Sequence, residues 1–186
     1  MPEENQRAAL PPSGVGPTVF QRVGIALGSN LGNPLRNLQS ARDRLLQIAK
    51  PGSLIQAKIY QTKPVGCPPD SPDFYNTVVE IAFAAGPDEL LAATQSIERQ
   101  LGRVAAPERN APRVIDVDIL YFGDLQIDRA ELVLPHPRLS SRRFVLQPLA
   151  DIRPTLILPG DQVSIADHLR HLDSLEPPLV IVAADW

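Results

Sequence analysis

Pro112-Arg113-Val114-Ile115-Asp116-Val117-Asp118-Ile119-Leu120 places two carboxylates in an apolar, β-branched run that otherwise reads as a buried strand. Burying one carboxylate is costly, and burying two is worse. Alternate residues of a strand share a face, so Asp116 and Asp118 point the same way with Cβ atoms on the order of 7 Å apart. Such a pair suits an oxygen-loving cation, because magnesium is bound through one or two carboxylates plus substrate phosphates. The plainer alternative is an edge strand with one wet face. It leaves unexplained why Asp, which strands disfavour, occurs here twice beside Arg113.

Upstream of this strand the chain alternates periods of two and of 3.6. Phe20 to Leu27 reads as a strand. Gly28-Ser29-Asn30-Leu31-Gly32 follows as a turn, and Asn33-Pro34 as an N-cap with proline in the first helical position. Leu35, Leu38, Ala41, Leu45 and Ile48 recur at helical spacing until Pro51-Gly52. Ser53 to Thr62 and Phe74 to Phe83 alternate as strands about a proline-rich loop from Lys63 to Pro72. A second helix starts near Pro87, where Asp88 and Glu89 suit an N-terminus, and runs to Leu101 before Gly102. The Asp-x-Asp strand then completes the order strand, helix, strand, strand, helix, strand. That is the order of a ferredoxin-like β-α-β-β-α-β sandwich, an α+β fold.

The flanks are less patterned. Residues 1–18 carry prolines and glycines with little apolar periodicity and read as a disordered leader, leaving 19–186 as one domain. Beyond Gly123, short strands are expected near Leu125 to Ile127 and Leu132 to Leu134, and a helix near Ser141 to Leu149. A C-terminal tail from about 160 extends the fold. His168 and His171 fall in a polar helix there and are expected to face water.

With 18 Lys+Arg against 21 Asp+Glu, the net charge of -3 gives no global attraction to nucleic acid or to an anionic membrane. Cys67 is the only cysteine, which excludes an intramolecular disulfide and a cysteine-based zinc cluster. No apolar run reaches membrane-spanning length, and the first residues lack the layout of a signal peptide, so a cytoplasmic location is expected.

The polar residues cluster about the carboxylate pair. Arg103, Arg109 and Arg113 precede it within one loop, while Arg138, Arg142 and Arg143 follow His136; guanidinium forks of this kind grip phosphate oxygens. His136 is fixed between two prolines, and its plainer reading is a turn residue bonded to backbone. Phe74, Asn76 and Phe144 could hold a flat heterocycle, since aromatic faces stack on it and an amide both donates and accepts. Gly28 to Gly32 lacks the lysine and spacing of a phosphate-binding loop, so a tight turn whose Ser29 and Asn30 bond their own backbone fits equally. These residues alone indicate a magnesium-dependent enzyme acting on a phosphorylated ligand.

Six segments, in order, resemble the 6-hydroxymethyl-7,8-dihydropterin pyrophosphokinases of folate biosynthesis: Ala26 to Gly32, Tyr60 to Gly66, Asp73 to Asn76, Ile97 to Arg103, Pro112 to Leu120, and Leu134 to Arg138 continuing through Arg142 to Leu146. The resemblance spans roughly residues 20 to 160, and several motifs in register are far more specific than one. It implies transfer of a pyrophosphoryl group from ATP to the pterin hydroxymethyl, leaving AMP. Arg103, Arg113, Asp116 and Asp118 would be catalytic, and the two aspartates would hold two magnesium ions. Glu98, Arg103, Arg113, Ile119, His136 and Arg142 would meet ATP. Thr62, Lys63, Pro64, Val65, Phe74, Asn76 and Phe144 would form the pterin pocket. ATP and the pterin are the expected partners, with no nucleic acid, no membrane and a monomeric state.

Two positions depart from that pattern. Ala105 replaces a second arginine and Asn110 a tryptophan, which removes one phosphate clamp and one loop anchor; Arg109 is the candidate substitute for the clamp. A ferredoxin-like RNA-binding module would need paired aromatics on central strands and a basic face, where this chain has aspartates and negative net charge. An idle scaffold would have little use for the retained Asp pair, Asn76 and Phe144.

Overall fold

The computed structural model describes residues 18–64, 67–104, 111–173 and 179–186. Six strands form one antiparallel sheet: β1 (Gln21–Ser29), β2 (Ile55–Gln56), β3 (Ile59–Thr62), β4 (Phe74–Phe83), β5 (Asp116–Phe122) and β8 (Val180–Ala183). Their spatial order is β5-β1-β4-β3-β8, and β2 pairs with β4 beyond the end of β3. Helices α1 (Pro34–Ile48) and α2 (Pro87–Gln100) complete the expected β-α-β-β-α-β order, with the two crossovers placing β1 between β4 and β5. A separate hairpin pairs β6 (Ile127–Arg129) with β7 (Leu132–Leu134).

Periodicity explains which face each element buries. The Asn33 side chain accepts the Arg36 N–H and caps α1, which buries Leu38, Ala41 and Leu45. These pack with Leu90 and Ile97 of α2 on Val23, Ile25, Val79 and Ile81 of the sheet. The opposite sheet face, open in a minimal ferredoxin-like sandwich, is partly roofed by α3 (Arg143–Ile152) and α4 (Ile165–His171). Val145, Leu146 and Leu149 of α3 and Ile165 of α4 form a second core there with Val78, Leu120 and Tyr121. A β-bulge makes that possible: Gly24 pairs with Tyr121 but Ile25 with Ile119, so the extra residue turns both Leu120 and Tyr121 toward α3. Gly24 is needed at this point, because a Cβ there would lie 2.2 Å from the Tyr121 ring.

Several local expectations are corrected. Gly28 and Ser29 continue β1 because each is paired across the ladder, Gly28 on both sides with Asn76 and Asp116. The single strand expected over Ser53 to Thr62 is two short ones, interrupted where the Ala57 N–H turns to the Val78 carbonyl. The hairpin strand begins at Ile127, since Leu125 is engaged in a turn back to Phe122. A 3-10 turn over Leu139–Ser141 precedes α3, which runs past Leu149 to Ile152. The tail contributes β8, paired antiparallel with β3, and Trp186 donates its indole N–H to the Ala57 carbonyl at 2.8 Å. His168 is half-buried, because its Nε2 lies 2.5 Å from Asp161 Oδ2. The leader up to residue 17 lies outside the described residues, and among those described no helix is long and apolar enough to cross a membrane.

Candidate active site

Gly28 of β1, Asn76 of β4 and Asp116 and Asp118 of β5 meet at one end of the sheet, on the face that α3 roofs. They open into a cavity of about 280 Å³ together with Arg103, Arg113, His136, Arg138, Arg142 and Phe144. Thr62, Lys63 and Phe74 complete the wall on the β3 side. One end is thus cationic and carboxylate-bearing, the other aromatic with a buried amide.

At the charged end, Asp116 is gripped twice. Arg103 Nη1 lies 2.7 Å from its Oδ1 and Arg113 Nη1 lies 3.0 Å from its Oδ2. Arg103 also pairs with Glu98, whose Oε1 accepts the Val117 N–H at 2.8 Å. Burial pushes the Glu98 carboxyl up, whereas Arg103 is held above its usual range because Asp116 and Glu98 outweigh its own desolvation. Among the described residues Asp118 has no such clamp. Burial, reinforced by the neighbouring Asp116 charge, raises it to about 6. Burial and the adjacent Arg138 lower Arg142, whose guanidinium carbon stands 5.4 Å from the Phe144 ring centre.

His136 lines the cavity and is also a turn residue bonded to backbone. Its N–H donates to the Leu120 carbonyl at 2.8 Å and its Nδ1 accepts the Arg138 N–H at 3.1 Å, so the neutral ring carries its proton on Nε2. Burial, with Arg142 and Arg138 adding repulsion, lowers its pKa to about 4. A second cavity of about 240 Å³ lies beyond Asp118, bordered by Ile119, His136, Thr94 and Val133.

At the aromatic end, the buried Asn76 donates from Nδ2 to Thr62 Oγ1 at 2.8 Å. Its Oδ1 passes so close to Gly28 that a Cβ there would approach to 2.8 Å. Lys63 Nζ meets Asp73 Oδ2 at 3.0 Å, which ties together the two ends of the proline-rich loop.

Most of the residues named from sequence therefore share one cavity. Glu98, Pro64 and Ile119 are not on its wall; Glu98 reaches it through Arg103, and Ile119 borders the second cavity instead. Val65, Ala105, Arg109 and Asn110 lie outside the described residues. Sequence reading missed the close approach of Gly28 to Asn76 and the task of Ser29 and Asn30, which bond not their own turn but the segment entering β5 and the Pro72 carbonyl. Ser29 Oγ donates to the Val114 carbonyl at 2.5 Å, Asn30 Oδ1 accepts the Arg113 N–H at 2.7 Å, and Asn30 Nδ2 reaches the Pro72 carbonyl at 3.2 Å. The available signal was a polar pair at the end of an apolar strand, where burial demands partners.

A sequence profile described as 7,8-dihydro-6-hydroxymethylpterin-pyrophosphokinase matches residues 24–154, more than two thirds of the chain. The chain belongs to this pyrophosphokinase family. It is 40% identical over 157 residues to a 2-amino-4-hydroxy-6-hydroxymethyldihydropteridine pyrophosphokinase of Pseudomonas aeruginosa, covering 84% of this chain and 91% of that protein. The Bacillus subtilis protein of the same name is 44% identical over 128 residues, covering 69% and 75%. A folic acid synthesis protein of Pneumocystis carinii is 38% identical over 152 residues, but the pyrophosphokinase chain spans only 20% of its length. Among solved structures, wild-type Plasmodium falciparum HPPK-DHPS superposes with a TM-score of 0.63 at 14% identity, over 82% of this chain and 44% of that one. At that identity the likeness speaks for the α+β, ferredoxin-like fold alone.

Proposed function

We propose that this pyrophosphokinase binds its two substrates side by side in the 280 Å³ cavity, with phosphates at the arginine end and pterin at the aromatic end. Family membership fixes the activity: the chain transfers pyrophosphate from ATP to 6-hydroxymethyl-7,8-dihydropterin, a transferase step of folate biosynthesis with ATP as co-substrate. The observation that carries the site assignment is that Asp116 and Asp118 open into the same space as Asn76 and Phe144.

In the reaction the pterin hydroxymethyl oxygen bonds to the β-phosphorus, the bond from that phosphorus to the oxygen bridging the α-phosphorus breaks, AMP leaves, and the hydroxyl proton is released. Such a transfer needs positioning and charge stabilisation rather than a covalent nucleophile. Arg103, Arg113 and Arg142 hold phosphate oxygens, and Ile119 and His136 border the space for the rest of the nucleotide. Asn76 reads the amino-pyrimidine edge while Phe144 and Phe74 enclose the ring, with Thr62, Lys63 and Pro64 on the adjoining segment.

The donor set fits magnesium. Asp116 and Asp118 supply two carboxylates on one strand face, and the mutual repulsion that helps raise Asp118 is what a divalent cation relieves. Magnesium takes one or two carboxylates and completes its shell with phosphate and water. Asp116 and Asp118 would hold magnesium, two ions by family resemblance, supplying positive charge to the phosphate oxygens and the entering hydroxyl.

AMP formation from ATP and 6-hydroxymethyl-7,8-dihydropterin, compared between the native chain and Asp116→Ala and Asp118→Ala, tests the assignment. The native chain is expected to make AMP, and each variant to lose it together with the magnesium binding read by titration. Native turnover and metal affinity in both variants would remove the carboxylates from the site.

A further inference from the structure

Asn76, Val78 and Glu80 alternate along the α3-facing side of β4, and the two ends of that row are polar. Asn76 lies in the cavity. Glu80, 3% exposed, lies about 13 Å further along the strand. Its carboxylate accepts the Tyr121 hydroxyl at 2.6 Å and the Arg153 Nε–H at 2.9 Å, and pairs with Arg153 Nη2 through its other oxygen. Arg153 is the C-cap of α3, and nine residues earlier Phe144 stands in its first turn. Nine residues of helix span about 13.5 Å, so strand and helix run the same distance between their two meeting points.

We propose that Glu80 is a positioning residue for pterin binding: by anchoring the C-terminal end of α3 to the sheet, it sets the gap between Phe144 and Asn76 at the other end. The inference rests on the placing of pterin between these two residues. A second contact works the same lever, since Tyr60, the ladder partner of Asn76, donates its hydroxyl to Asp151 of α3 at 2.7 Å. The helix needs such fixing at its far end. Pro148 has no N–H for the Phe144 carbonyl, so the turn that carries Phe144 is one hydrogen bond short within the helix. The anchor itself is stiff. Burial opposes the Glu80 charge, but Arg153 and Tyr121 outweigh it and hold the carboxyl below its usual range. The bulge at Gly24 brings Tyr121 into reach, and no group of this cluster lines the cavity.

The test uses the full chain and compares Arg153→Ala, Arg153→Lys, Phe144→Ala and the double variant Arg153→Ala with Phe144→Ala. The readouts are pterin affinity by fluorescence titration, KM for each substrate, and kcat. Arg153→Ala is expected to weaken pterin binding roughly 3- to 30-fold while Mg-ATP affinity stays within about twofold. Arg153→Lys should restore most of the loss, and Arg153→Ala should add nothing once Phe144 is absent, since it acts through that ring. Native pterin affinity in a cooperatively unfolding Arg153→Ala protein, or effects of Arg153→Ala and Phe144→Ala that multiply independently, would overturn the inference. If Arg153→Ala does not fold, Tyr121→Phe, which removes one hydroxyl, takes its place in the cycle, where native pterin affinity or independent multiplication overturns the inference in the same way. Unchanged pterin affinity in Phe144→Ala would instead remove the pocket assignment, and this inference with it.

Discussion

Asn30 and Arg113, 83 residues apart in sequence, bond each other twice: the Arg113 N–H donates to Asn30 Oδ1 at 2.7 Å, and the Asn30 N–H donates to the Arg113 carbonyl at 3.1 Å. The end of β1 thereby holds the segment that leads into the Asp-x-Asp strand. Asn30→Ala leaves a part-buried donor without a partner, a loss of about 1–3 kcal/mol. Urea unfolding is expected to show that loss, and kcat/KM for ATP to fall because Arg113 is no longer held. Asn30→Asp, which keeps the acceptor, should recover much of both. Native stability and kinetics in Asn30→Ala would show the clasp to be idle.

Gly28→Ala places a methyl group against Asn76 Oδ1, where the closest approach would be 2.8 Å. The amide must move, and pterin affinity should fall while Mg-ATP affinity holds. Parallel titrations of the two ligands check this. Equal weakening of both would mean that the end of the strand had shifted as a whole.

Arg103 serves Glu98 and Asp116 at once through Nη1, a nitrogen that a planar guanidinium carries further from the backbone and in a more fixed direction than the lysine ammonium. Arg103→Lys keeps the charge and is nonetheless expected to lower kcat/KM roughly ten- to hundredfold, the range for a lost charged hydrogen bond. Steady-state kinetics at saturating pterin would expose a fully active lysine variant, which would reduce the requirement to charge alone.

His136, lowered to about 4 by burial and then by Arg142 and Arg138, disfavours a proton in the folded state relative to an unfolded value near 6.5. The stability this contributes, about 3 kcal/mol, is fully present above pH 6.5 and is lost as pH falls toward 4. Glu80, also depressed when folded, adds a loss that begins as pH falls into the ordinary glutamate range and continues below it. Urea midpoints should hold between about pH 7.5 and 6.5 and then fall toward pH 4, a fall that the raised Asp118 and Glu98 carboxyls offset in part, and His136→Gln should flatten the stretch between 6.5 and 4.5. Parallel curves for the two proteins would refute the attribution.

The regular core was legible because each element carries its own period. The stripe from Leu38 to Leu45 faces one core, the alternation of β4 faces two, and Asn33-Pro34 marks a helix start. The paired aspartates stood out because they break a buried pattern, and Asn76 and Phe144 through the family motif. The rest needed the third dimension. Ser29 and Asn30 gain their meaning from Val114, Arg113 and Pro72, which no local window contains. Val180 and Ile181 of β8 are both exposed, so that strand lacks the alternation that betrays a half-buried one. The break between β2 and β3 reflects a single hydrogen bond from Ala57 to Val78.

The strand at the sheet's margin carries a consequence for biosynthesis. Tyr60 pairs with Ile181, so β3 waits for a partner translated roughly 120 residues later, whereas β1 and β4 can pair far earlier. Until then the nascent chain presents the open flank of β3, a template for pairing with another copy. Chains truncated short of residue 180 should aggregate through that flank, and chains that include β8 should not.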